Sequence, residues 1–195
     1  MTIHNKKVGF GLTGSFCTFD KVLVELKRLK SEGADIYPLF TERSSSTDTR
    51  FGKAKDFLKQ VEEITGKKPG TTIVEAEKYG PSNILDVFVI APCTGNSLAK
   101  LSLGVTDSSV LMAAKGHLRN KKPVVIAVST NDALGANMKN IGSLMNSKHI
   151  YFVPFGQDNY KNKPNSMVAQ FDMIIPTVKK ALEEKQLEPV IISPK

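Results

Sequence analysis

Tryptophan is absent from this 195-residue sequence, aromatic residues make up 7%, and there are only two cysteines and three histidines. Few aromatics leave base-stacking platforms poorly supplied, and no helix-turn-helix pattern, zinc-finger spacing or ribonucleoprotein motif is present, so nucleic acid is not the expected partner. Cys17 and Cys93 fall in two different expected ligand loops and have no ligand-like spacing to a histidine. A disulfide and a zinc site are therefore not expected, and a reducing compartment fits. No apolar run approaches the roughly 20 residues of a membrane span. Met1 to Lys7 lacks the apolar core of a signal peptide. The expectation is a soluble, unexported, cytoplasmic protein.

What is present is enough apolar residue, 41%, to bury one core without metal or disulfide staples, so residues 1–195 are expected to form a single α/β domain. The net charge of +8 comes from scattered lysines rather than a block, which suits a basic surface more than a polyanion site.

The most informative stretch runs from Asp86 to Asp107. Val87 to Ala91 is continuously apolar, the mark of a parallel strand covered on both faces, and the run stops at Pro92. Leu98, Leu101 and Val105 then share helical spacing. Thr94, Gly95, Asn96 and Ser97 are thereby placed at the carboxyl end of a central strand, where open α/β sheets bind ligands and where helix N–H groups favour an anion.

The rest of the chain alternates in the same way. Val8 to Thr13 is a strand ending in Gly11-Leu-Thr-Gly-Ser15, followed by a helix with Val22, Leu23, Leu26 and Leu29 on one face and Gly33 at its end. Ala34 to Thr41 is a second strand, and Gly52 to Ile64 a helix stopped by Gly66 and Pro69, before a short apolar segment at Thr72 to Val74. A helix over Ser108 to Lys115 is expected to end at Gly116, and Pro123 to Ser129 is another buried strand with the loop Ser129 to Asp132. A helix with Met138, Ile141, Leu144 and Met145, a strand from His149 to Pro154 and a helix over about residues 173–185 complete the pattern. Such alternation predicts a three-layer, Rossmann-like or flavodoxin-like, doubly wound parallel sheet. Ser44 to Arg50 and Gln157 to Asn165 are long enough to be lids or passive surface loops.

The first loop has neither the full dinucleotide glycine spacing nor the Gly-Lys-Ser/Thr end of a P-loop. Its weight comes from accumulation: Thr13 and Ser15, Thr41 and Ser44, and Thr94 and Ser97 put hydroxyls at one sheet edge. With Gly11, Gly14, Gly95 and Asn96 they suit one phosphate and a polar cofactor chain. Cys93 has no adjacent base, and a buried apolar thiol is the common case, so no catalysis is assigned to it. His4, His117 and His149 are terminal, after a helix and at a strand start, and are taken as structural.

Ala91-Pro-Cys-Thr-Gly-Asn-Ser-Leu-Ala-Lys100, with Gly104, Asp107, Gly11 to Ser15 and Thr41, resembles the flavoprotein superfamily of the homo-oligomeric flavin-containing cysteine decarboxylases. The resemblance implies FMN at the first and central-strand loops and a homo-oligomer with sites at subunit boundaries. Where that family has Pro-Ala-Met-Asn, this chain has Val128-Ser-Thr-Asn131. It also lacks the family's histidine, having none between Asn5 and Gly116, so cysteine decarboxylation is not expected.

Ser46 to Gly52, Thr106 to Lys115, Ser129 to Gly135, Phe155 to Asp158 and Lys163 to Ala169 resemble a dipicolinate-forming branch of that superfamily from spore-forming bacteria. That resemblance implies an oxidoreductase subunit acting with a separate NADP-binding dehydrogenase-like subunit. Together they would oxidise dihydro- or 4-hydroxytetrahydrodipicolinate to dipicolinate during sporulation, in the mother cell. An aromatic dicarboxylate calls for cationic donors, for which Arg50 first, then Arg43 and Lys163, are the candidates, with Asn131 as a substrate or flavin contact or else a turn or cap. No catalytic acid or base is assigned. Two alternatives remain open: a flavin prenyltransferase-like FMN enzyme, and a non-catalytic subunit that supports a dehydrogenase.

Overall fold

The computed structural model describes residues 2–193, so Met1, Pro194 and Lys195 of the expected 1–195 domain lie outside the described residues. In chain order the elements begin with β1 (Lys7–Leu12), α1 (Phe19–Ser31), β2 (Asp35–Phe40), α2 (Glu42–Ser46), α3 (Ala54–Thr65), α4 (Ile73–Glu77), α5 (Tyr79–Ser82), β3 (Val87–Cys93) and α6 (Gly95–Ser102). They continue with α7 (Ser109–Arg119), β4 (Val124–Thr130), α8 (Met138–Met145), β5 (Ile150–Phe152), β6 (Phe155–Gln157), β7 (Met167–Ala169) and α9 (Ile174–Ala181).

The strands form one seven-stranded sheet in the order β2-β1-β3-β4-β7-β6, with β5 also paired to β4. β2, β1, β3, β4 and β5 pair in parallel, the order of a flavodoxin-like sheet. From β1 the chain crosses to β2 on one side and later to β3 on the other, so the strand order reverses between β1 and β3. Every residue of β3 is buried, as its unbroken apolar run requires with helices on both faces. The strand continues past Ile90 through a register shift to Cys93, so Pro92 does not end it.

Several sequence expectations are corrected. The sheet is mixed rather than wholly parallel: the last residues of β4 pair antiparallel with β7, which pairs antiparallel with β6. These three-residue strands are too short to show a period in sequence. The stretch from Gln157 to Asn165, expected as a lid or a passive loop, starts with the last residue of β6 and otherwise lies in the connection between them. Part of the other expected loop is helical, because Thr41 caps α2 by accepting from the Ser44 N–H. Thr72 to Val74 opens α4 through a capping box of Thr72 and Glu75. Val105 lies beyond α6, after Gly104 adopts a left-handed φ of 72°, so it leaves the helical face and is exposed. Gly116 does not stop α7; a Cβ there would sit 2.8 Å from Gly80 Cα, so glycine is kept for the close approach of α5.

His117 is therefore inside α7. It is buried and near Phe88, its Nε2 has no hydrogen-bond partner among the described residues, and burial pushes its pKa down to about 4 despite a hydrogen bond to the Pro123 main chain. Met138 and Met145 sit on the outer side of α8, while Ile141 and Leu144 face the core. Among the described residues no helix is long and apolar enough to cross a membrane.

Candidate functional site at the carboxyl ends of β1, β2 and β3

A cavity of about 530 Å³ opens where the strand order reverses, lined by the residues that follow β1, β2 and β3. Its walls include Thr13 and Gly14 after β1, Thr41, Glu42 and Arg43 after β2, Thr94, Asn96, Ser97 and Lys100 around α6, and Asp107, Ser108 and Leu111 at the start of α7. The volume is in the range of small-molecule and cofactor pockets.

The polar groups divide into those that build the wall and those left for a ligand. The Thr13 hydroxyl donates to the Pro92 carbonyl at 2.8 Å and accepts from the Thr94 N–H at 3.0 Å, stapling the β1 loop to the β3 loop. Thr94 caps α6 by accepting from the Ser97 N–H at 3.3 Å. That leaves the Gly95 and Asn96 N–H groups, at the first two positions of an eight-residue helix, without an acceptor among the described residues. Gly14 and Asn96 line the cavity, so the start of α6, the positive end of its dipole, lies at this wall, an arrangement that suits an anion.

Four of the expected cofactor residues have other surroundings. Ser44 is fully buried, and its hydroxyl bonds the Leu12 carbonyl at 3.0 Å, so it anchors α2 to the end of β1. Gly11 lies inside β1, where a Cβ would come within 2.7 Å of Val110, so its smallness serves the packing of α7. Ser15 is not in the cavity wall; its Oγ is 2.8 Å from Ser129 Oγ. Gly95 packs on the β4 loop: a Cβ there would meet Asn137 Nδ2 at 2.4 Å, Thr130 Oγ1 at 2.6 Å and Asp132 Oδ1 at 2.8 Å.

Of the expected substrate residues Arg43 lines this cavity, whereas Arg50, Asn131 and Lys163 of the same chain do not. Arg50 is exposed, with Cζ 4.9 Å from the centre of its neighbour Phe51. Lys163 is exposed in the β6–β7 connection, and Asn131 is exposed in the turn after β4. Asn137, not Asn131, occupies the N-cap position of α8. Cys93 is wholly buried behind the loop, where burial pushes its thiol pKa up and keeps it protonated, in line with its being no nucleophile.

Sequence reasoning missed Glu42, Lys100, Asp107 and Ser108. Lys100 stands one turn beyond Asn96, so helical spacing alone put both on one face. Ser108 three residues before Leu111, whose N–H it accepts at 3.3 Å, is a helix-start signal. Lys100 and Asp107 form an ion pair of 2.5 Å across the cavity rim.

A flavodoxin-ordered sheet with a polar-walled cavity at its switch point defines an α/β ligand-binding fold of the flavodoxin type. The chain belongs to the Flavoprotein family, whose model matches residues 1–182. It is 49% identical over 191 residues to the B-type subunit of dipicolinate synthase from Bacillus subtilis, covering 98% of this chain and 96% of that protein. The crystal structure of the same dipicolinate synthase subunit from Bacillus halodurans superposes with a TM-score of 0.92 at 48% identity, covering 100% of both chains. The FMN-dependent cysteine decarboxylase SpaF shares the fold, with a TM-score of 0.68 at 22% identity over 93% of this chain and 98% of its own.

Proposed function

We propose that this chain is the flavin-holding subunit of a dipicolinate-forming enzyme, acting with a separate NADP-binding dehydrogenase-like subunit to oxidise dihydro- or 4-hydroxytetrahydrodipicolinate during sporulation. The observation that carries the reading is near-half identity to the B-type dipicolinate synthase subunits over essentially the whole of both chains. The cavity suits FMN: Gly14 and Asn96 N–H groups would hold its phosphate, and the Thr41, Thr94 and Asn96 side chains would flank its polar chain. When bound, flavin supplies hydride-accepting capacity. The chain's own residues bind, orient and shield the reactants.

Among the described residues no histidine or cysteine lines the cavity. That favours a division of labour in which this subunit positions the ring while proton and electron acceptors come from cofactor or partner. Arg50, Asn131 and Lys163 would serve substrate only from a neighbouring copy. Self-association is part of the proposal, because Leu103 and Val105, 77% and 40% exposed, flank the Gly104 turn close to Asp107 at the cavity rim. Light scattering of the purified chain tests it, a monomer counting against it.

The direct test is the visible spectrum of the purified chain titrated with FMN, with Asn96→Ala for comparison, followed by dipicolinate formation with the partner subunit. Flavin uptake weakened in the variant and dipicolinate produced only with both subunits is the expected result. A chain that takes up no flavin, yet supports dipicolinate formation, would transfer the redox step to the partner.

A further inference from the structure

We propose that Arg43 receives a carboxylate of an aromatic dicarboxylate substrate at the mouth of this cavity, an inference that rests on the function proposed above. Two cations line the cavity. Lys100 is tied to Asp107 at 2.5 Å, whereas Arg43 forms no salt bridge among the described residues. Glu42 is its neighbour in sequence, but adjacent positions on a helix diverge by about 100° and do not face each other. A guanidinium presents a planar fork that matches a carboxylate in bidentate fashion, which an ammonium does not.

The backbone that carries Arg43 is fixed. Thr41 caps α2, and the buried Ser44 hydroxyl ties the helix to the Leu12 carbonyl at 3.0 Å. The Arg43 carbonyl in turn accepts from the Thr47 N–H at 3.1 Å. Only the side chain is left free to move onto a ligand. Its position also suits two anionic groups in one cavity. In the order β2-β1-β3, the carboxyl end of β2 stands two strand spacings, about 10 Å, from that of β3. A phosphate at the start of α6 and a carboxylate at Arg43 are thereby kept apart, with the ring systems between them.

The test is calorimetric titration of the full chain with pyridine-2,6-dicarboxylate and, separately, pyridine-2-carboxylate, with and without FMN. Wild type, Arg43→Ala, Arg43→Lys and Lys27→Ala are compared, and FMN and riboflavin are titrated into each. Arg43→Ala is expected to weaken the dicarboxylate by roughly ten- to a hundredfold, the scale of a lost charge-assisted hydrogen bond. It should also erase the preference for two carboxylates over one, with lysine restoring only part and Lys27→Ala, an exposed cation of α1 remote from the cavity lining, changing little. Arg43→Ala that binds the dicarboxylate as wild type does overturns the inference alone. So does a variant that loses FMN more than riboflavin, because Arg43 would then be a phosphate anchor. Wild type that binds no dicarboxylate under either condition overturns the proposed function and the inference together.

Discussion

Replacing Gly95 with alanine should destabilise this protein, although helix propensity alone argues the reverse. Alanine is better than glycine inside a helix by about 1 kcal/mol, and Gly95, the first residue of α6, has no left-handed φ that would penalise a side chain. The obstacle is a polar network behind it. Asn137 Nδ2 donates to both Asp132 oxygens, at 2.9 and 2.8 Å, and the Thr130 hydroxyl bonds the same carboxylate. Asn137 Oδ1 accepts from Asn140 at 2.9 Å, and Asn140 accepts from Ser102 at 3.0 Å, returning the chain of bonds to α6. A Cβ on Gly95 would lie 2.4 Å from Asn137 Nδ2, and Asn137 is only 6% exposed, so it has no open direction in which to yield. Overpacking of this kind costs about 1–3 kcal/mol. In a chain of this size that lowers Tm by roughly 2–12 °C. Thermal unfolding of the flavin-free protein followed by circular dichroism measures it. The double variant Gly95→Ala, Asn137→Ala should fall short of the sum of the two single losses by about 0.5 kcal/mol or more. An alanine variant with unchanged or higher Tm would refute the steric argument, and strict additivity would remove Asn137 as its source.

Two further outcomes follow from buried titratable groups. His117 is held neutral by burial, with a folded pKa of about 4 against an ordinary 6.5 in the unfolded chain. The unfolded state therefore takes up the proton first: stability is complete above pH 6.5, falls as pH drops toward 4, and loses on the order of 3 kcal/mol from this group by then. Urea midpoints measured across that range should show a steeper decline in wild type than in His117→Leu, and parallel curves would count against the assignment. Cys17 is exposed and Cys93 buried, so a thiol reagent should modify one cysteine per native chain and two after unfolding; rapid reaction of both in native protein would mean that the β3 loop opens.

The alternation of strands and helices was legible because β1, β3 and β4 are long, apolar and bounded by glycine, proline or caps. The short antiparallel pair β6–β7 was not, because three residues carry no period and their pairing is set by contacts distant in sequence. Likewise the hydroxyl-rich loops pointed to the sheet edge where the cavity opens, but not to which hydroxyls stay free. Thr13, Ser44 and Gly11 carry the residue types of a ligand loop, yet their hydrogen bonds and packing hold the wall together. Arg50 and Arg43 are alike in sequence and separate only when α2 turns one into the cavity and leaves the other beside Phe51.

Charge was the least informative part of the sequence for the same reason. The chain carries +8, but the cavity's formal charges cancel, Glu42 and Asp107 against Arg43 and Lys100. The excess lies on lysines elsewhere and acts on solubility and encounter rather than on the ligand. Inside the cavity, selectivity has to come from direction: unpaired N–H groups at the start of α6 and one guanidinium outside any salt bridge among the described residues. Under the proposed function a flavin phosphate and a substrate dicarboxylate bring about four negative charges into this neutral space. The helix dipole supplies the equivalent of about half a positive charge, and Arg43 one more. Cations of a neighbouring copy, such as its Arg50 or Lys163, would offset part of the remainder, a physical reason for the proposed site to sit at a boundary between subunits rather than to close within one.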